Sequence, residues 1–524
     1  MPNSNHYVWT VLSVLTASPD RVVLWWRDQP ITGAEFSRAI MTAARGLRRE
    51  GVGEGSVVTL LIATSPEMLI ARYAVNLLGA TALHPQSPNA VNPLDELSID
   101  MQVDMVAESR TTLVIVDAQN VARGREIVTR MVIPPTLAAL GVIAGEGSDL
   151  LDLSSGPQTE SLDVNAVEPT GIAVVVSTSG SSGRPKGVPR TFASLRWVAA
   201  SGQAAGRNHT MLISTPLHGP TGASWTDAVL MSEGTVVLHQ GFDPAAALAA
   251  ISKYRITRLC LTPPQLYKLV EYLTRATTDI SSVQQIIYSG CIASPRRIAQ
   301  ALEVFGPILT QVYGMAETTA ISMLGSADHK NPKLLMTVGR PVVEMAIRDP
   351  RTQEDLPAGQ TGEVCVRSLA MMEGYWHDPE ATAKRLRDGW LRTGDVGYLD
   401  SEGYLHLVDR LDRMIKTQGI KVYPATVEDV LLAHPTVGQA AVFKVVDADE
   451  IEHIYAAVVP RHGATVDPAE LRVYIERELS AAYVPVEISV LDALPLMESG
   501  KPDTRRLSFE VERAAGWRRS VIVA

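Results

Sequence analysis

The sequence predicts an α/β protein: a large amino-terminal domain of parallel-sheet α/β subdomains with a small β subdomain, followed by a compact α+β domain. Three observations carry that expectation. Short β-branched runs alternate with runs of helical period from residue 57 to about residue 290, the mark of repeated strand–helix units. From residue 338 to residue 408 the texture changes to short strands separated by Gly, Pro and Asp turns. Beyond the charge-dense stretch 409–414, two β-rich runs lie between two helical ones. The 524 residues exceed what one hydrophobic core usually supports, so at least two domains are expected, and the boundaries are placed at 1–411 and 412–524.

The elements follow in order. Residues 8–17 are apolar, but no positive residue precedes them and Thr10, Ser13 and Thr16 interrupt them, so a packing helix is expected rather than a signal peptide. Thr32 and Glu35 form a capping box, and Phe36, Ile40, Ala43 and Leu47 recur at helical spacing until Gly51. Residues 57–64 read as a buried strand and 67–78 as the helix after it. Further strands are expected at 113–116, 172–176, 211–214, 235–239, 258–261 and 284–288, with a polar loop at 154–169. In the carboxyl-terminal unit, helices are expected at 426–433 and 468–479, and β runs at 439–445 and 453–459. No run approaches 18 uncharged apolar residues, so no membrane span is predicted.

Composition excludes several function classes. The 47 basic residues are 37 arginines and ten lysines against 57 acids, a net charge of −10, which lacks the basic footprint of a nucleic-acid binder. Cys260, Cys291 and Cys365 are odd in number and far apart, so neither a disulfide framework nor a cysteine zinc site is expected. A reducing, cytoplasmic setting fits them.

The richest chemistry stands where the expected strand 172–176 ends, in Ser177, Thr178, Ser179, Gly180, Ser181, Ser182, Gly183, Arg184, Pro185, Lys186 and Gly187. Glycines let the backbone approach a ligand, hydroxyls add donors, and a lysine supplies a point charge, which together suit a polyphosphate. The segment is not a Walker A loop, because Pro185 and Gly187 flank Lys186 where Gly and Ser or Thr are required. Its Gly-Ser-Ser-Gly core is also similar to the nucleophile segment of amidase-signature hydrolases. Those need a catalytic lysine well upstream, and Lys186 is the first lysine in the chain.

The loop resembles the hallmark of the adenylate-forming superfamily of acyl-CoA synthetases, adenylation domains and luciferases, whose usual TSGTTGxPKG stands here as TSGSSGRPKG. Four further motifs follow in the family's order: Tyr313-Gly-Met-Ala-Glu317-Thr318, Trp390-Leu-Arg-Thr-Gly-Asp395, Arg410-x-Asp412 with Ile415, Lys416 and Gly419, and Gly500-Lys501. The resemblance implies that Thr178, Ser179, Gly180, Ser181, Ser182, Gly183 and Lys186 grip the β- and γ-phosphates of ATP. It implies that Thr318 contacts the α-phosphate and that Glu317, with Thr178, helps hold Mg²⁺. Tyr313 would lie against adenine beside Gly290, Asp395 would take the ribose hydroxyls, and Arg410 would add a ribose contact. Lys501 would bridge the carboxylate and the α-phosphate. Asp412 matches the hinge of a mobile carboxyl-terminal domain, and Gly419 the wall of a pantetheine tunnel for coenzyme A.

His218, in Pro-Leu-His-Gly-Pro, matches the residue that closes the family's acyl pocket. Gly219 stands where amino-acid-activating domains often place an aspartate, and Gly219, Gly222 and Ala223 are expected to leave a roomy, uncharged wall for a hydrophobic or bulky acid. Three departures stand out: Asp409 replaces a common glycine before the hinge arginine, the run from Pro424 to Glu428 lacks one usual acid, and Cys291 and Ile292 replace small residues. The expected activity is acyl-CoA synthesis from a carboxylic acid, ATP and coenzyme A, with no carrier domain within the sequence. An acyl-AMP ligase serving a carrier protein, an enzyme of one half-reaction, and a non-catalytic nucleotide-binding protein are the alternatives. Loss of Lys501 or Glu317 would have favoured the last, and both are present.

Overall fold

The computed structural model describes residues 6–85, 97–141, 151–154, 162, 168–178, 185–203, 206–273, 278–417, 420–447, 449–497 and 501–515. Two large sheets organise the amino-terminal part. In the seven-stranded sheet Leu151–Asp152, Thr136–Ala139, Leu113–Val116, Val57–Leu61, Thr81–His84 and Ile172–Thr178 run parallel in that order, and Lys186–Thr191 returns antiparallel at the edge. In the nine-stranded sheet the parallel centre is Leu309–Met315, Gln285–Ser289, Arg258–Leu261, Thr210–Ile213, Thr235–Leu238 and Val22–Trp26, with antiparallel strands at both edges. The α/β expectation therefore holds. Val57–Leu61 and Leu113–Val116 are buried throughout, as strands covered on both faces must be.

The helices Tyr7–Ala17, Gly33–Arg49, Pro66–Leu77 and Pro220–Met231 share one hydrophobic core with the facing sides of both sheets. The expected packing helix buries Tyr7, Val8, Val11, Leu12 and Leu15, and the capping box at Thr32 and Glu35 is formed. Within this apolar layer the Arg72 guanidinium pairs with Asp227, to which the Tyr73 hydroxyl also donates. Both charged side chains are almost wholly buried.

The strand expected over 57–64 stops at Leu61, because the chain beyond it turns to bind elsewhere. The Ala63 N–H donates to Asp117 at 2.7 Å, and Thr64 Oγ1 accepts from the Leu217 N–H at 3.2 Å, tying the ends of the two sheets together. The four-residue strand Thr81–His84 and the hairpin of Leu309–Met315 with Thr319–Leu324 escaped sequence reading, the first for brevity and the second for lack of alternation.

A five-stranded antiparallel sheet from Glu344 to Arg410 forms the β subdomain. The carboxyl-terminal unit packs Pro424–Ala433 and Pro468–Glu478 on a three-stranded sheet around Val427, Leu431, Ile454, Leu471 and Ile475. Asp409 sits at their junction: its buried carboxylate accepts from the Ala425 N–H at 2.8 Å and lies 3.5 Å from Arg413. Among the described residues no helix is long and apolar enough to cross a membrane.

Candidate active site

Among the described residues, six side chains with a buried, unpartnered polar atom stand at or just beyond the ends of strands, Ser65, His84, Ser214, Thr215, Thr262 and Thr318, and others, Arg72, Gln102 and Trp376 among them, lie elsewhere. A buried polar group left unpaired is costly, and the ends of parallel strands are where such folds meet their ligands.

On one side, Thr178 pairs with Lys186 across the hairpin of Ile172–Thr178 and Lys186–Thr191. Thr178 Oγ1 donates to the Lys186 carbonyl at 3.4 Å. Ser179, Gly180, Ser181, Ser182 and Gly183 lie outside the described residues. The Lys186 ammonium stands 5.1 Å from the centre of the Tyr375 ring, and the Tyr375 hydroxyl donates to Glu317 Oε1 at 2.8 Å. Burial, reinforced by the Glu317 charge, holds the Tyr375 phenol well above its ordinary value, so the hydroxyl remains a donor. Glu317 thus has a fixed carboxylate oxygen, and its carbonyl accepts from the Met372 N–H at 2.7 Å.

The turn carrying Glu317 and Thr318 is strained. Thr319 has φ of +67°, a backbone region that β-branched residues rarely occupy. Gly314, opposite, has no room for a side chain, since a Cβ there would lie 2.2 Å from the Thr319 carbonyl oxygen. Thr318 is fully buried with its hydroxyl unpartnered among the described residues.

On the other side, Asp395 accepts from the Tyr313 hydroxyl and from Arg410 Nη1 at 3.3 Å. Arg410 also grips Asp412 with two donors, at 3.0 and 3.2 Å. Burial raises the Asp395 carboxyl, while Arg410, Tyr313 and Lys501 pull it back down. For Asp412 burial also opposes ionisation, but the Arg410 fork outweighs it and the carboxyl falls below its ordinary value. Lys501 arrives from the carboxyl-terminal unit: a Cβ on Gly290, whose φ is +106°, would lie 3.5 Å from Lys501 Cε. Thr262 is the next neighbour of Gly290, at 3.6 Å.

His218 is half-buried in the turn before Pro220–Met231. The roomy wall expected beside it needs one correction. Gly219 has space, but a Cβ on Gly222 would lie 2.4 Å from the Pro216 carbonyl oxygen, so that glycine serves close packing of helix on loop. Gly419 and Gly500 lie outside the described residues. Tyr375, Arg385 and His84 went unnoticed in the sequence. Arg385 acts on both Asp395 and Asp412, yet no spacing signals it. Among the described residues no three His, Cys, Asp or Glu side chains gather as a metal centre. Glu317 therefore suits a cation whose remaining ligands are phosphates and water, the habit of Mg²⁺.

The chain matches the AMP-binding enzyme family over residues 13–376 and the AMP-binding enzyme C-terminal domain over residues 426–501. It belongs to that family. This AMP-binding enzyme is 31% identical to the medium/long-chain-fatty-acid–CoA ligase FadD8 of Mycobacterium tuberculosis, covering 97% of this chain and 90% of the relative. It is also 31% identical to a feruloyl-CoA synthase of Amycolatopsis, covering 95% and 97%. Among solved structures, the amide bond synthetase McbA from Marinactinospora thermotolerans is 33% identical with a TM-score of 0.83, covering 96% and 99%. These similarities identify the AMP-binding enzyme as an acyl-CoA-synthetase-like member of the adenylate-forming superfamily.

Proposed function

We propose that this enzyme is an acyl-CoA synthetase that activates a hydrophobic or bulky carboxylic acid. The acid's carboxylate attacks the α-phosphate of ATP, pyrophosphate leaves, and the thiol of coenzyme A then displaces AMP to give the thioester and one proton. The reading is carried by one observation: Lys501 lies against Gly290 in the same cleft as Asp395, so a cation from the second domain meets a buried carboxylate of the first. Two anions must approach each other in the first step, and a positioned cation offsets their repulsion.

In this reading Lys501 bridges the carboxylate and the α-phosphate. Thr318 meets the α-phosphate with its hydroxyl, and Thr178, Ser179, Gly180, Ser181, Ser182, Gly183 and Lys186 take the outer phosphates. Asp395 and Arg410 hold the ribose and Tyr313 the adenine, beside Gly290. Glu317, steadied by Tyr375, is the carboxylate available to Mg²⁺, with Thr178 as its partner. The bound ion supplies neutralisation of phosphate charge. His218 bounds the acyl site. Residues 412–524 form the mobile domain, hinged at Asp412, and Gly419 lines the thiol's approach. Three free cysteines support a cytoplasmic setting.

A second reading, that the adenylate passes to an amine, draws support from the likeness to an amide bond synthetase. The test is ATP–pyrophosphate exchange against a panel of acids, followed by coenzyme A, a carrier protein or an amine in parallel. Thioester with coenzyme A is expected. Exchange followed by amide alone supports the second reading, and absence of exchange with every acid defeats both. Lys501→Ala should cut exchange about 10²- to 10³-fold, the scale of losing one charge-stabilising donor. Exchange that survives this change while thioester formation fails assigns Lys501 a different role.

A further inference from the structure

His84 ends the strand Thr81–His84, in register with Val176 and two residues after Ala82. Side chains alternate across a strand and register partners share a face, so its imidazole stands with Ala82 and Val176. Both belong to the core between the two sheets, whereas Leu83 and Val175 pack on the opposite face beside Trp376. His84 therefore faces inward, toward the helices Pro66–Leu77 and Pro220–Met231 that carry Arg72 and Asp227. It is 1% exposed, and among the described residues neither ring nitrogen has a hydrogen-bond partner.

A buried imidazole with two unused nitrogens is costly in an apolar layer. It is not alone. Beyond the end of the neighbouring strand Val57–Leu61, Ser65 caps the helix Pro66–Leu77, and the loop joined to that turn through Thr64 and Leu217 carries Ser214 and Thr215, all with hydroxyls that are buried and unpartnered among the described residues. His218 closes the same loop and acts electrostatically on His84, as does Arg72. Burial, helped by both neighbours, holds the His84 ring far below its ordinary value, so it is neutral with one donor and one acceptor. Arg72 is paired with Asp227 through Nη2, while its buried Nε has no partner among the described residues.

We propose that His84 is a specificity-determining residue of the acid site, recognising an uncharged hydroxyl on the acyl part of the substrate. The preferred acid then carries a hydroxyl remote from its carboxylate, and a plain alkyl or aryl acid fits less well. A hydroxyl can donate to one imidazole nitrogen or accept from the other. The inference rests on the acid-activating function proposed above and deepens it. A site built to hydrogen-bond a substrate hydroxyl rejects the analogue lacking it, because the buried partner is left unpaired.

The test uses the full chain, matched pairs of acids differing by one hydroxyl, and pyrophosphate release as readout, which does not depend on the acceptor. At least one pair is expected to favour the hydroxylated acid by about 10-fold or more in kcat/KM. His84→Leu should bring that ratio to within about twofold, losing the hydroxylated acid rather than the plain one. His84→Asn, which keeps a donor and an acceptor, should retain part of the preference. Equal loss on both acids in His84→Leu, with a lowered melting midpoint, makes His84 structural and overturns the inference. Pyrophosphate release from every acid without any hydroxyl preference overturns it as well. No release from any acid defeats the acid-activating function itself, a separable outcome.

Discussion

Tyr375→Phe removes one oxygen from the site and leaves the ring under Lys186 in place. The hydroxyl it removes donates to Glu317 Oε1 at 2.8 Å, and both residues are buried, Tyr375 at 7% and Glu317 at 8% exposure. Water therefore replaces the lost donor poorly. A hydrogen bond to a charged group contributes about 1.5–3 kcal/mol, which at about 1.4 kcal/mol per decade is about 10- to 150-fold in rate. Because Lys186 keeps its 5.1 Å approach to the ring, the loss should fall on Glu317 and on the cation it holds. The assay is ATP–pyrophosphate exchange at fixed acid over a Mg²⁺ titration, with circular dichroism as the check on folding. The variant should need more Mg²⁺ and show the stated loss in kcat/KM for MgATP. A folded variant that exchanges within about threefold of wild type across the titration would refute the role given to this hydrogen bond.

Three further changes probe the frame around the site. Arg72→Met should destabilise the amino-terminal domain by about 3–5 kcal/mol, because it strands the buried Asp227 carboxylate, while Arg72→Met with Asp227→Leu should recover most of that loss. Denaturant midpoints showing the double variant at the sum of the singles would contradict this. His6 donates from Nε2 to the Asn76 carbonyl at 2.9 Å and accepts from the Val8 N–H at 3.2 Å, and burial lowers its pKa from 6.5 to about 4. Since the folded form resists protonation, its contribution is complete above pH 6.5 and fades as pH falls toward 4, by about 3 kcal/mol. Melting midpoints of His6→Gln should fall less steeply across that window than those of wild type. Asp409→Gly cuts the tie to the Ala425 N–H across the proposed hinge, and should speed thioester formation from supplied acyl-adenylate relative to pyrophosphate exchange. Parallel changes in both rates would show that this tie does not govern the domain movement.

The sequence by itself determined the α/β class, the carboxyl-terminal domain and the identity of the motif residues. These are written in contiguous segments, where period, capping and spacing are local properties of the chain. Glu317 and Thr318 sit side by side, as do the members of the capping box at Thr32 and Glu35, so a reader of residues meets them together. Local pattern also read Gly222 as pocket space, when the Pro216 carbonyl fills it. Tertiary structure alone decided what touches what across distance. Tyr375 reaches Glu317 over 58 residues and Arg72 reaches Asp227 over 155, through packing that no local propensity encodes. His84 shows the difference most clearly. In the sequence it is one of eleven histidines, and only the register of Thr81–His84 against Ile172–Thr178 turns its ring inward, where it is buried and neither nitrogen has a partner among the described residues.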